Sequence, residues 1–486
     1  MLQIRKALTK LFPAMLVLLC PAMAGAQSLY RYEQLSAQQY TALKDSFKRK
    51  WDCPVVYKDK ATQKEYRNSW DGRAKYINNS LSENRYVKDS LVWPYLQGIV
   101  TELVLANKTL IQAQPLLLLD CSAVANANSF GEHIITCNAG MVAAANTREE
   151  LALYLAHELS HDILRHADNS MRKRAETLSS DDYKESLKDV LSSRYQRYSR
   201  LMKVVDGYSF DRSRHSRYCE READSLAVVL LKNAHIPFDA GYFLNLDTMD
   251  ELYQKNLTQP LKNYFGAYQL NVPDNLLQKK AKGLSSRSYS FKDTMGRADS
   301  LKTHPDCKLR YKTLKSLSDA APKHTPIPKA VQDQALEISL WTMYLNRSMG
   351  HSFFRIFLYK DQGRSTPWMD FMFDNMLSAM LFSVSSLDRF HAVGIEKKED
   401  VSKSYLELQA MLEQVSEDQL RTWCTERKAL LAGAASPDAK AFRDFMELLQ
   451  QPVSEDAKKQ VQAAAQSFRK SYGDSPYLEY VNHITK

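Results

Sequence analysis

The chain has 486 residues, 44% of them hydrophobic and 25% charged. That composition supplies ordinary cores for two or more domains and excludes a wholly disordered or fibrous protein. Its net charge of +10 is diffuse and accompanied by no nucleic-acid-binding motif, which excludes nucleic acid as a partner.

Residues 1–26 have the form of a secretory signal peptide. Arg5, Lys6 and Lys10 make a positive start, Ala14 to Met23 is apolar, and Ala24-Gly25-Ala26 offers a small-residue cleavage site. No later segment holds 18 uninterrupted apolar residues, so no transmembrane helix is expected. The expected location is exported, periplasmic and soluble. Lipidation at Cys20 ranks second, because Leu19 stands where a small residue is needed. Cys53, Cys121, Cys137, Cys219, Cys307 and Cys424 follow, and an exported context permits disulfides without revealing which.

From Ser28 to about Leu110 the chain is polar, aromatic-rich and helical in places. Leu116-Leu117-Leu118-Leu119 reads as a buried strand and His133 to Cys137 as a second, with a turn at Gly131. Thr147-Arg148-Glu149-Glu150 is a capping box that opens a helix running to about His166. Residues 171–215 are strongly charged and read as a helical excursion. Glu220-Arg221-Glu222-Ala223-Asp224 then runs into the apolar stretch Leu226 to Leu231. Residues 283–303 form a polar loop without a clear period. Pro322, Pro326 and Pro328 mark a linker over 321–330. Residues 331–486 read as paired helices, an α-solenoid or bundle, with a tetratricopeptide-like form as one candidate although no clean 34-residue repeat is present. Trp368 to Val384, rich in Met and Phe, reads as a core helix rather than a peptide groove.

The chemistry concentrates in His157-Glu158-Leu159-Ser160-His161. On a helix, positions i and i+4 share a face, so both imidazoles can offer nitrogen to one metal ion while Glu158 projects beside them as a general base. Zinc in a catalytic site takes three protein ligands, and Glu220 is the natural third. Asp224 lies one turn further on, placed to accept the spare ring N–H of a ligand histidine. The expected cofactor is one Zn2+ per chain. His166 falls five residues past His161, so a continuous helix would rotate it off the metal face and give it a helix-end or packing role.

Together these residues resemble the zinc peptidases related to HtpX and the CAAX prenyl proteases. The likeness runs from Glu150-Leu151-Ala152 through Leu155 to His161 and on to His166, and includes Ser216-Arg217 with Glu220 to Asp224. Asn126-Ala127 with Gly140, and Thr303-His304-Pro305 with Arg310, are similar to further elements of that family. The resemblance covers about residues 90–315 and leans toward its soluble periplasmic, BepA-like branch. It implies a zincin-type, α+β but mainly α catalytic domain with a small sheet over 27–320, followed by the helical C-terminal domain. It also implies zinc on His157, His161 and Glu220, with Glu158 acting on a metal-activated water. Asn126 and Ala127 would offer a strand edge to substrate. His304 is read either as a gating or transition-state residue or as a turn histidine before proline, and Arg310 as a structural ion-pair partner. The implied activity is endopeptidase action on unfolded or misassembled envelope proteins, with other envelope or outer-membrane assembly proteins as partners of the helical domain. The alternative is a chaperone or assembly scaffold with a gated, rarely active zinc site. A hydrolase of some non-peptide amide ranks third.

Overall fold

The computed structural model describes residues 51–278, 307–431, 437–449 and most of 454–485, apart from a few single positions within them. The expected signal peptide, the 283–303 loop and His304 therefore lie outside the described residues. The architecture is α+β and mainly α, with one small sheet. No described helix is long and apolar enough to cross a membrane.

Helix α1 (Lys60–Ser82) precedes the short strand β1 (Tyr86–Val87) and helix α2 (Val92–Ala106). Strand β2 (Leu116–Asp120) is the expected leucine strand, nearly all buried. Strands β3 (Ala127–Gly131) and β4 (Ile134–Asn138) form a hairpin. The strand order is β1-β2-β4-β3, with β4 parallel to β2 and β3 antiparallel on the edge. The strand edge that the family resemblance implies at Asn126 and Ala127 is β3, although its composition does not announce it. Its residues, Ala-Asn-Ser-Phe-Gly, are mostly poor strand formers with no apolar alternation. Its turn is equally atypical, since Glu132 and His133 both take positive φ, the conformation usually given to Asn-Gly. The turn is held from outside: Asp162 accepts from the His133 backbone N–H at 3.0 Å and faces its ring Nδ1 at 2.7 Å.

Helix α3 (Ala139–Ala144) leads into α4 (Arg148–Ile163), the helix that carries both histidines. At Gly140 a Cβ would stand 2.2 Å from the Ala123 carbonyl oxygen, so only glycine lets α3 and the 122–126 segment approach this closely. Helices α5 (His166–Ser179) and α6 (Asp181–Ser192) and the 37-residue α7 (Arg197–Asn233) make up the charged excursion and return to pack along α4. Helices α8 (Gly241–Asp250), α9 (Leu261–Ala267), α10 (Asp274–Gln278) and α11 (Cys307–Leu314) follow, with α11 against α8.

The proline-rich stretch is pinned to the start of α4. Arg148 N–H donates to the Thr325 carbonyl at 2.8 Å, and Thr325 N–H donates to Glu149 at 2.8 Å. Helix α12 (Lys329–Leu345) then packs on α3. Helices α13 (Met349–Asp361) and α14 (Pro367–Ser385) are buried through Phe353, Phe357, Met372, Phe373 and Met376. Each such side chain contributes about 1.5–3 kcal/mol by leaving water. Helices α15 (Arg389–Val393), α16 (Lys403–Gln414), α17 (Glu417–Leu431), α18 (Pro437–Leu448) and α19 (Glu455–Ser471) complete the chain. One continuous apolar core runs from Val87 through α4 and α14 to Val481.

Candidate metal centre

Helix α4 starts where its capping residues put it. Thr147 Oγ1 accepts from Glu150 N–H at 3.2 Å, and Glu150 accepts from Asn146 N–H at 2.7 Å. Its Oε1 also accepts from Tyr154 OH at 2.5 Å and from the Asn245 side-chain amide. These bonds fix the axial position of the helix, and Leu151, Leu155 and Leu159 fix its rotation by burial.

His157 and His161 consequently face the same point, their Nε2 atoms 3.0 Å apart. Glu220, brought in by α7, places one carboxylate oxygen 3.2 Å from His157 Nε2 and the other 3.4 Å from His161 Nε2. Ligand atoms at the corners of a tetrahedron with bonds of about 2.0–2.1 Å are separated by about 3.3 Å, so this two-nitrogen, one-oxygen set suits zinc. Among the described residues no other group of three His, Cys, Asp or Glu side chains converges in this way.

The outer partners set orientation and charge. Asp224 Oδ1 lies 2.9 Å from His157 Nδ1, which leaves Nε2 turned toward Glu220. Asp224 is itself gripped by Arg310 from α11, whose Nε and Nη2 donate at 2.8 and 2.6 Å. The Arg310 guanidinium also lies over the Phe243 ring, 4.5 Å from its centroid. Burial disfavours charge on His157, but the hydrogen bonds to Asp224 and Glu220 outweigh it and raise its pKa to about 10. Burial and the neighbouring His157 lower His161 to about 3. Burial opposes the charge on Glu220 and on Asp224, yet both are held below the usual carboxylate range, Glu220 chiefly by the His157 hydrogen bond and Asp224 chiefly by Arg310.

Glu158 sits apart from the ligand cluster, in the cavity wall. Burial pushes its carboxyl up to about 7, while the Ser129 backbone N–H facing it works in the opposite direction. The cavity measures about 320 Å3, with β3 residues 127–129 on one wall, α4 below and Phe243, Leu246 and Arg310 opposite. Asn138 N–H donates to the Asn126 carbonyl at 2.9 Å. In an antiparallel ladder bonding alternates along the strand, so Asn126 and Asn128 face β4 while the peptide groups of Ala127 and Ser129 face out along the open edge.

Residues 92–318, from the first residue of α2 to just beyond α11, match the model of peptidase family M48. This part of the chain belongs to peptidase family M48. The chain thus carries a metallopeptidase domain of a zinc-dependent family. No curated protein matches the chain.

In the M48 domain the structure brings His157, His161, Glu220, Glu158, Asp224, Asn126 and Ala127 around one cavity or its immediate support. Two contacts were not anticipated. Arg310 reaches His157 as well as Asp224, its Nη2 3.4 Å from His157 Nδ1. His166 lies against His161 outside the three-residue ligand set, with its Nδ1 2.9 Å from His161 Nδ1 and its Nε2 3.4 Å from Glu222. The helical-face argument placed His166 elsewhere because it assumed an unbroken helix to that residue. Helix α4 ends at Ile163, Arg165 takes a left-handed conformation, and the reversal swings His166 back toward His161.

Proposed function

We propose that the chain is a zinc-dependent endopeptidase that cleaves extended, unfolded polypeptide in the bacterial cell envelope. The observation that carries this reading is the convergence of a three-ligand set, a nearby unligated carboxylate and an open strand edge in one cavity.

His157, His161 and Glu220 would hold the zinc. When bound, the metal supplies Lewis acidity, which makes water a stronger acid and polarises a carbonyl. Glu158 takes the proton from the attacking water and delivers it to the leaving amine nitrogen. Its carboxyl, raised by burial, is suited to both halves of that transfer. Asp224 fixes the His157 ring through Nδ1, and Arg310 fixes Asp224. The peptide group of Ala127 and the carbonyl of Ser129 pair with the backbone of an extended substrate, giving binding with little side-chain preference. That suits misfolded or misassembled proteins as a class. The envelope assignment rests on the signal-like residues 1–26, and partner binding by the C-terminal helices remains part of the same proposal.

Cleavage of casein tests the reading. Glu158→Gln keeps one zinc per chain and lowers cleavage at least a hundredfold. Undiminished cleavage by that variant removes Glu158 as the base. A scaffold that rarely cleaves would show no casein turnover in the unsubstituted, zinc-loaded chain either.

A further inference from the structure

The cavity lined by His157, His161 and Glu220 has a polar neighbour. The 123–127 segment, α3 and α8 line both: Ala127, Met141 and Leu246 face the first, and Ala125, Gly140 and Asn245 the second. The second cavity measures about 170 Å3 and is closed on its far side by α12, α13 and the residues following them. Three cationic side chains, Lys255, Arg355 and Arg364, point to it, and no carboxylate lines it among the described residues.

The two arginines are partly explained by the fold. Arg355 Nη1 donates to the Ala123 carbonyl at 2.8 Å, and Arg364 Nη1 donates to the Ala143 carbonyl at 3.2 Å. Arg364 also leans on Asp333 at 3.6 Å. Arg355 is only 6% exposed, has no carboxylate partner among the described residues, and keeps a buried Nε without an acceptor. Lys255 is half-buried, and its ammonium supports nothing among the described residues. Burial alone lowers its pKa. The Arg355 guanidinium also lies over the Tyr253 ring, 5.7 Å from its centroid, but keeping the Lys255 ammonium partly desolvated without a counter-charge costs stability, and a bound anion would offset that cost.

We propose that this cavity is a carboxylate subsite, which receives an acidic side chain or the terminal carboxylate of a polypeptide stretched along the β3 edge. The inference rests on the peptidase reading above for its substrate class. From Ser129, whose amide faces Glu158, back to Ala125 is four residues, about 13 Å of extended chain. The recognised carboxylate therefore lies about four residues from the bond that is cut.

The test is peptide binding to the zinc-loaded Glu158→Gln protein, read by fluorescence anisotropy. The probes are fluorescein-labelled decapeptides of Ala, Val and Ser with one Glu moved through successive positions, each paired with its Gln counterpart. One set is C-terminally amidated and one is a free acid. In one register Glu strengthens binding about tenfold over Gln, and the gain disappears in a Glu158→Gln protein that also carries Lys255→Met. A gain in the amidated set assigns the subsite to a side chain, and a gain confined to the free-acid set assigns it to the chain terminus. Lys255→Met melts higher than its parent, because an unpaired charge has left a half-buried position. Equal or undetectable binding of all Glu and Gln pairs overturns the subsite, as does a gain that survives Lys255→Met. Casein cleavage by the unsubstituted chain separates this inference from the one beneath it. Cleavage with no Glu dependence removes only the subsite, and Glu-dependent binding with no cleavage removes only the peptidase reading.

Discussion

At His157 two carboxylates compete with burial, and the carboxylates win: the ring is protonated up to about pH 10 in the metal-free protein. Its neighbour His161, pushed to about 3, is already neutral. Metal ligation requires the neutral imidazole, so zinc must displace one proton from His157. Calorimetric titration of the metal-free protein at pH 7.5, in buffers of different ionisation enthalpy, will show release of about one proton per zinc. Apparent affinity will rise about tenfold per pH unit up to about pH 10. The same shift has a stability consequence of known sign. A histidine whose pKa is raised on folding stabilises the metal-free fold fully below its ordinary value near 6.5. That contribution is lost as pH rises through about 10. Denaturant midpoints of the metal-free chain should therefore fall across that window more than those of the His157→Gln variant.

At the scale of elements, α4 was legible because its signals are local. A capping box, leucines at helical spacing and an i,i+4 histidine pair all lie on one helix of about four turns, and Thr147 and Glu150 make local contacts at its start. Glu220 and Asp224 were legible for the same reason, as a second i,i+4 pair on a helix. What the residue pattern shows less well depends on pairing and backbone reversals rather than on periodicity. Strand β3 exists because β4 pairs with it and because Asp162 grips its turn, although its own residues argue against a strand. His166 comes to rest against His161 through a backbone reversal at Arg165, which no periodicity reports. Arg310, 86 positions from Asp224, was read as an ion-pair partner, but its partner was not readable from spacing. The support chain from Arg310 through Asp224 to His157 has a measurable weight. Asp224→Asn should lower zinc affinity about 10–100-fold while Glu158 stays in place, as competition with a fluorescent chelator will show. Unchanged affinity would reduce Asp224 to a packing role.

For the whole molecule, the decisive feature is a single apolar core that joins the M48 domain to the C-terminal helices. The Pro-rich segment that the sequence marks as a linker is hydrogen-bonded to the first turn of α4, and α12 rests on α3. The segment that follows α11 thus ties the start of α4 to the C-terminal helices. Phe357, fully buried on α13 among Tyr264, Phe265, Phe353 and Phe373, reports on that coupling. Phe357→Ala should cost about 3–5 kcal/mol. Because the core is shared, helicity and bound zinc should be lost in the same denaturant transition. Separate transitions would show that the catalytic and C-terminal regions unfold as independent units.

The central claim is that His157, His161 and Glu220 form the zinc site, and zinc K-edge X-ray absorption on the stoichiometrically loaded chain addresses it most directly. The account predicts two imidazole nitrogens and one carboxylate oxygen at about 2.0–2.2 Å, no sulfur, and an altered ligand shell in Glu220→Ala. A sulfur shell at about 2.3 Å, or a spectrum that Glu220→Ala leaves unchanged, would contradict it.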